Sequence, residues 1–263
     1  MSVEQKERLD YLIDHLWQEL DPMWQERMQK SELTGWPLLR ALMNIRPPRA
    51  VSAEFLQVQD AFLQEMIAAR GITHVEELTP VRDKLYLWQG DITTLAADAI
   101  VNAANEALLG CFHPLHGCID NIIHSLAGIE LRLACQELML AQGHPEATGM
   151  AKITPAFNLP SRYVLHTVGP IITQTVTAED RRLLASCYRS CLDLAEQYQL
   201  ESVVFCCIST GVFHFPHQLA AEIAVDTVSQ WLTDARYVQK VIFNVFKDED
   251  REIYEALLGG VCS

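Results

Sequence analysis

Cys111, His116 and Cys118 stand in the spacing C-x4-H-x-C, which gathers two thiols and an imidazole on one short turn. Such donors are soft to borderline and suit zinc, and three protein ligands leave one coordination position open for water or a substrate oxygen. Asn102, Asn105 and Asp120 bracket the triplet with two amides and a carboxylate. A metal site and a polar-ligand site would therefore share one strand-loop-helix unit between residues 90 and 124. The triplet alone also has a plainer reading, in which the thiols pack as small hydrophobes and the histidine lies exposed. His113 competes for the imidazole position, although Pro114 follows it directly. His124 falls about one turn into the next helix, facing core or cleft. No fourth protein ligand is expected close by, so the site reads as open rather than structural.

Other polar clusters fall where open α/β sheets bind ligands, just beyond the carboxyl ends of strands. GDIT at 90–93 follows the first strand expected after Pro80, NAAN at 102–105 closes the second, STGVF at 209–213 follows the fourth and FKD at 246–248 follows the fifth. Each is ordinary turn or cap chemistry when taken singly, but their order along the chain outlines one binding face. Cys187 and Cys191 lie four apart on an expected helix, where two small apolar side chains on a buried stripe account for them. Cys206 and Cys207 fall within an expected buried strand, and His166 reads either as a general base or as a hydrogen-bonded structural residue. Neither H-E-x-x-H nor the H-x-E plus P-C-x-x-C pair is present, which removes the common zinc-protease and nucleobase-deaminase readings.

The elements that must position these groups follow from periodicity. Leu9, Leu12, Ile13, Leu16, Trp17 and Leu20 recur at helical spacing, and Asp21-Pro22 then reads as a cap followed by proline at the first helical position. Residues 36–45 predict a helix stopped by Pro47 and Pro48, and Ser52 predicts the cap of another carrying Phe55, Val58, Phe62 and Met66 and ended by Gly71. This helical segment, residues 1–80, reads as an extension packed on the main domain or as a partner-recognition element. Beyond Pro80, β-rich runs alternate with amphipathic ones, which predicts an α/β domain over 81–263. Strands are expected at 84–89, 99–103, 163–167, 202–208 and 241–245, and helices at 120–141, 178–199, 217–233 and for a turn or two after Asp250.

At 263 residues and 49% hydrophobic composition the chain can bury a substantial core. No apolar run approaches the ~18 residues needed to span a bilayer, and the charged start MSVEQKERLDYLID lacks a signal-peptide core, so an intracellular, cytoplasmic protein is expected. Eight cysteines are too few for a disulfide scaffold of this size, which leaves reduced thiols available to metal. The net charge of −14 and the lack of a basic stripe argue against nonspecific nucleic-acid binding. They leave a small polyanion open, since helix N-termini and backbone N–H groups supply local positive potential.

Four of these runs together, GDIT at 90–93, VNAAN at 101–105, HTVGP at 166–170 and ISTGVF at 208–213, resemble the hallmarks of the macrodomain family of ADP-ribose-binding modules, over about residues 83–258. The resemblance implies a three-layer α/β/α fold with a mixed central sheet, here with an N-terminal helical extension. It implies that Asp91 accepts from the adenine amine and that the Ile92 N–H donates to the same ring. Ser209, Thr210, Gly211, Val212 and Phe213 would form the diphosphate cradle, Phe213 would cover the distal ribose, and Asn102 and Asn105 would position that ribose. Phe246 is read as a face for adenine or as ordinary sheet core. Where many hydrolase members carry a glycine-rich run, this chain has CFHPLHGC at 111–118, followed by Ile119 and Asp120. That departure resembles the zinc-dependent branch of bacteria and fungi, and assigns Cys111, His116 and Cys118 to one Zn2+ ion with Cys118 and Ile119 beside the ligand.

The implied activity is hydrolysis of mono-ADP-ribose from a modified protein side chain, an Asp or Glu ester above all. Asp120 would orient or deprotonate water, or else merely cap its helix. A non-catalytic ADP-ribose reader and a hydrolase of a small ADP-ribose ester are the competing readings. Resemblance to the branch further implies a sirtuin-type ADP-ribosyltransferase as functional partner and a lipoylated carrier resembling the glycine-cleavage H protein.

Overall fold

The computed structural model describes residues 2–259; Met1 and residues 260–263, Cys262 among them, lie outside the described residues. Four helices come first: α1 (Val3–Gln18), α2 (Pro22–Lys30), α3 (Gly35–Ile45) and α4 (Ala53–Arg70). Ser2, Asp21 and Ser52 each accept a hydrogen bond from the backbone N–H three residues on, which satisfies donors that the first turn leaves orphaned. The helices bury Leu12, Leu16, Leu39, Leu42, Phe55 and Leu63 in a cluster of their own, which Ile129 joins from the rest of the chain.

The remaining order is β1 (Thr73–His74), β2 (Leu85–Gln89), β3 (Leu95–Ala96), β4 (Ala99–Ala104), α5 (Ile119–Ala127), α6 (Ile129–Gln142), β5 (Ala151–Pro155), β6 (Tyr163–Val168), α7 (Ala178–Gln197), β7 (Ser202–Phe205), α8 (His217–Leu232), β8 (Lys240–Val245) and α9 (Asp248–Gly259). Six strands form one sheet in the order β2-β8-β7-β4-β6-β5, parallel except for β5 against β6. The sheet is therefore mixed, in a three-layer α/β/α arrangement. Helices α7, α8 and α9 pack together, while α5 and α6 pair and receive α3 and α4 against α5. β4, β7 and β8 are buried nearly throughout, as continuous Val/Ile runs covered on both faces require. Among the described residues, no helix is long and apolar enough to cross a membrane.

Four expectations need correction. The helix predicted over 120–141 is two helices, broken at Gly128 with φ +97°, where a Cβ would lie 2.6 Å from the Gln59 amide. The break lets Gln59 of α4 accept from the Ile129 N–H at 2.9 Å and so serve the N-terminus of α6. Strand β5 escaped the reading because KITP is short and ends in proline, which an edge strand tolerates. The strand predicted over 202–208 stops at Phe205, so Cys206 and Cys207 begin the loop that follows. The last helix runs over 12 residues rather than a turn or two.

Asp98 ties the entry of β4 to its neighbours: its carboxylate accepts from Arg162 at 2.7 Å and from the Glu201 and Ser202 N–H groups at 2.8 and 3.1 Å. Burial alone would raise its pKa, but these donors outweigh burial and hold it below the ordinary 3.8. A depressed folded pKa means the stabilisation is complete above about pH 4 and lost as pH falls through the folded value. Asp98→Asn is expected to cost about 1–3 kcal/mol at pH 7 in urea unfolding, with the difference from the unaltered chain shrinking as pH drops below about 4.

Candidate active site and metal-ligand loop

The ligand loop begins where β4 ends. Asn105 Oδ1 accepts from the Ala107 N–H at 3.0 Å while its Nδ2 donates to the Gly110 carbonyl at 3.2 Å, a side-chain turn that bends the chain back over the sheet. Gly110 has φ +78°, and a Cβ there would sit 2.8 Å from the His124 ring, so the loop rides directly on that imidazole. Leu115 also takes a left-handed φ of +55° without being glycine, a conformation that costs about 1–2 kcal/mol and must be held by its surroundings. Its N–H donates to Asn44 Oδ1 at 3.0 Å, and its side chain packs on the cluster of the N-terminal helices.

Cys111, His116 and Cys118 are brought together: their ligand atoms lie within 4.8 Å of one another, with Cys111 Sγ 3.6 Å from His116 Nδ1. Bonds of about 2.3 Å to sulfur and 2.0 Å to nitrogen at a tetrahedral angle give roughly this S···N spacing, so the donor set fits zinc in kind and in separation. All three residues are half-buried. Burial pushes the Cys118 thiol up to about 12, with the Asn121 N–H opposing, so that without a cation the neutral thiol is favoured. His113 is exposed, stands outside the trio and has its Nδ1 3.3 Å from the Pro114 carbonyl.

The cap of α5 is Cys118, whose Sγ accepts from the Asn121 N–H at 3.5 Å. Asp120 is thus not the cap that one reading made it. It lies in the first turn, 5% exposed, and its Oδ1 accepts from Asn102 Nδ2 at 2.8 Å. Burial pushes its pKa up to about 6 against the pull of the Asn102 hydrogen bond and of Arg132. Asn102 was expected to position a ribose, yet it is fully buried and its amide is shared between Asp120 and His166 Nδ1 at 3.2 Å.

Beneath lies a second group, His124, Cys135 and His166, fully buried. His166 Nδ1 receives the Asn102 donor, so its Nε2 carries the proton and donates to Thr154 Oγ1 at 2.9 Å. Burial pushes His166 down to about 3, lowers His124 well below its ordinary value and pushes Cys135 up to about 12. All three groups are therefore neutral, and His166 fills the structural role rather than that of a general base. His124 faces this core layer, not the metal trio.

The residues expected to form the nucleotide face are spread over neighbouring strand ends. Asp91 follows β2, where its Oδ1 accepts from the Thr93 N–H at 3.0 Å and its Oδ2 stands 3.4 Å from Arg70 of α4. Ile92 is buried just behind it. Phe246, after the adjacent β8, is 77% exposed, which rules out the sheet-core alternative. In the loop between β7 and α8, Ser209 has φ +65° and a buried hydroxyl without a hydrogen-bond partner, Thr210 Oγ1 donates to the Cys207 carbonyl at 3.0 Å, and Gly211 has open space where a Cβ would go. Val212 is exposed and Phe213 half-buried beside it.

Several residues that sequence reading missed hold these segments. Asn244 Nδ2 donates to the Gly90 carbonyl at 3.0 Å, and Arg40, Asn44, Asn121 and Arg132 surround the ligand loop. Their only signal was polarity inside apolar runs, as in GWPLLRALMNI.

With this geometry in view, comparison with known proteins is informative. The Macro domain family pattern matches residues 101–224. A curated protein-ADP-ribose hydrolase from Treponema medium is 52% identical over 258 residues, covering 97% of this chain and 99% of its own length. A probable bifunctional ADP-ribose hydrolase/ADP-ribosyltransferase from Fusarium oxysporum is 41% identical over 84% of this chain and 40% of its own length. Among solved structures, a Trypanosoma brucei macrodomain in complex with ADP-ribose superposes with a TM-score of 0.65 at 30% identity, covering 83% of this chain and 95% of that one. Near full-length identity of this order, on a mixed α/β/α sheet that places all four sequence hallmarks, leaves one conclusion: the chain belongs to the macrodomain family.

Proposed function

We propose that this chain is a zinc-dependent hydrolase that removes mono-ADP-ribose from modified protein side chains, with an Asp or Glu ester as the bond cleaved. That it is a hydrolase follows from relatives such as the T. medium protein, alike over nearly the whole of both chains. The observation that carries the finer reading is one juxtaposition. Three metal donors whose ligand atoms lie within 4.8 Å of one another stand at the start of the helix whose first turn holds the Asp120 carboxyl, fixed there by Asn102.

In this reading residues 1–80 form the extension and 81–263 the macrodomain. Asp91 and the Ile92 N–H receive adenine, and exposed Phe246 covers its face. The loop from Ser209 to Phe213 receives the diphosphate, helped by the positive end of α8, and the buried Ser209 hydroxyl without a partner is a donor in waiting. Asn105, Cys118 and Ile119 line the distal ribose, with Phe213 over it.

A zinc ion held by Cys111, His116 and Cys118 would supply Lewis acidity toward a sugar or ester oxygen and lower the pKa of water beside it. The chain's own part is proton handling. Asn102 fixes Oδ1 of Asp120, and the second carboxylate oxygen makes no hydrogen bond among the described residues. A carboxylate so placed can take a proton from water and return it to a leaving oxygen within one turnover.

The bifunctional Fusarium relative, whose name joins hydrolase to ADP-ribosyltransferase, supports pairing with a transferase that writes the mark. We take that partner to be of sirtuin type and the substrate to be a lipoylated carrier resembling the glycine-cleavage H protein, in the cytoplasm.

Chain purified without added metal is expected to carry one zinc, and Cys118→Ser to lose it. Chelation is expected to abolish release of ADP-ribose from an acid-linked protein, and added zinc to restore it. Asp120→Ala is expected to retain zinc but lose about 100-fold or more in turnover. Undiminished release by both variants would end the proposal; binding of free ADP-ribose with no turnover by the unaltered, zinc-loaded chain would make it a reader.

A further inference from the structure

The ligand loop makes few hydrogen bonds of its own, such as His116 N–H to the His113 carbonyl at 3.2 Å. The rest of its fixing comes from outside, and much of it from α3. Arg40 Nη2 donates to the His116 carbonyl at 2.8 Å, and Arg40 Nη2 and Nε both donate to Asn121 Oδ1, at 2.7 and 3.2 Å. With its oxygen turned to that guanidinium, the fully buried Asn121 directs its Nδ2 to the Cys111 and His113 carbonyls, at 3.3 and 3.0 Å. Were the amide flipped, its NH2 would face Arg40 and both loop carbonyls would lose their donor. One turn further along α3, Asn44 is 1% exposed; it accepts from the Leu115 N–H and donates to Ser125 Oγ at 3.0 Å.

Helix α3 is itself immobilised where this matters. Its Leu39 and Leu42 are buried in the N-terminal cluster, and Arg46 at its end pairs with Glu19, the residue just after α1, at 2.6 and 3.0 Å. Arg132 of α6 donates to the Met43 carbonyl at 3.0 Å, to the Arg46 carbonyl, and to Leu109 at 2.7 Å, while its guanidinium lies 4.3 Å over the Phe112 ring. The loop is thus anchored at its entry by Arg132, in its middle by Asn44 and at its exit by Arg40.

We infer that Arg40 and Asn44 of the N-terminal helices are positioning residues for the Cys111, His116 and Cys118 loop, holding its backbone in the ligand-ready shape before any ion arrives. This rests on the reading of that trio as a zinc site. It makes the helical extension part of the active site rather than an appendage for partner docking. A lysine cannot replace Arg40 fully, because an ammonium lacks the planar fork that spans the His116 carbonyl and Asn121 Oδ1.

The test uses the full chain with Arg40→Ala, Arg40→Lys, Asn44→Ala and, as a control in the same extension, Arg8→Ala, whose partners Glu4 and Glu65 lie on α1 and α4. Zinc affinity by chelator competition is expected to fall about 10–100-fold in Arg40→Ala and Asn44→Ala, less in Arg40→Lys, and not in Arg8→Ala. In metal-free chain, amide exchange across residues 111–118 is expected to quicken at least about tenfold in the first two variants, with β4 and β8 amides unchanged. Arg40→Lys keeps the test alive should an alanine variant misfold. Zinc affinity and loop exchange both within twofold of the unaltered chain in Arg40→Lys and Asn44→Ala would overturn the inference. If Cys111→Ser and Cys118→Ser bind zinc as well as the unaltered chain does, the zinc reading fails. The exchange measurement then decides the positioning role by itself: quickened exchange upholds it and unchanged exchange overturns it.

Discussion

One amide governs the shape of this site. Asn121, itself fully buried, accepts from a guanidinium on one side and donates to two loop carbonyls on the other. A buried amide of that kind has one acceptable orientation, since leaving a carbonyl or a guanidinium unpaired costs about 1–3 kcal/mol or more. The same residue's N–H binds Cys118 Sγ, so the first turn of α5, the metal loop and α3 are locked by one side chain and its own backbone. The strain of Leu115 in the left-handed region is sustained by the same frame.

Below the frame, the chain keeps a carboxyl in a buried layer without a full counter-ion. Asp120 has Asn102 as its hydrogen-bond partner and Arg132 as a more distant cation, while His124 and His166 stay neutral around it. A protonated histidine there would favour the ionised carboxylate. Burial that keeps both imidazoles neutral withholds that stabilisation, in line with the upward shift of Asp120. Cys135 and Thr154 complete the layer on its inner side, where they satisfy His166 without adding charge.

What was legible in the sequence was short-range. C-x4-H-x-C needs a single loop to bring its atoms together, and GDIT, VNAAN and ISTGVF each mark the end of one strand, so local pattern sufficed to place them. Capping at Asp21 and Ser52 was local as well. The contacts that hold the site were not legible, because Arg40 meets His116 and Asn121 across 76 and 81 residues of chain. Nothing in GWPLLRALMNI says what its arginine and asparagine face. Gly128 hid for the same reason: its break in the helix serves Gln59, about half a domain earlier in the chain, rather than any pattern of its own neighbours. Phe246 could be read as core only because Val241 to Val245 is apolar; the strand ends one residue before it and turns the ring out.

A chain of net charge −14 that is to take a diphosphate, as proposed, would have to generate its attraction locally. The loop at 209–213 presents backbone, a hydroxyl and the start of α8, whose first turn carries no acid of its own; Asp250 of α9 reaches that helix end and is paired there with His217 Nδ1 at 2.5 Å. Screening over about 8–10 Å of salt solution hides distant carboxylates from a bound anion, but not N–H groups in contact with it. An acidic exterior and an anion-binding cleft are therefore compatible, and the exterior has a consequence of its own. It works against binding of a nucleic-acid backbone through like-charge repulsion.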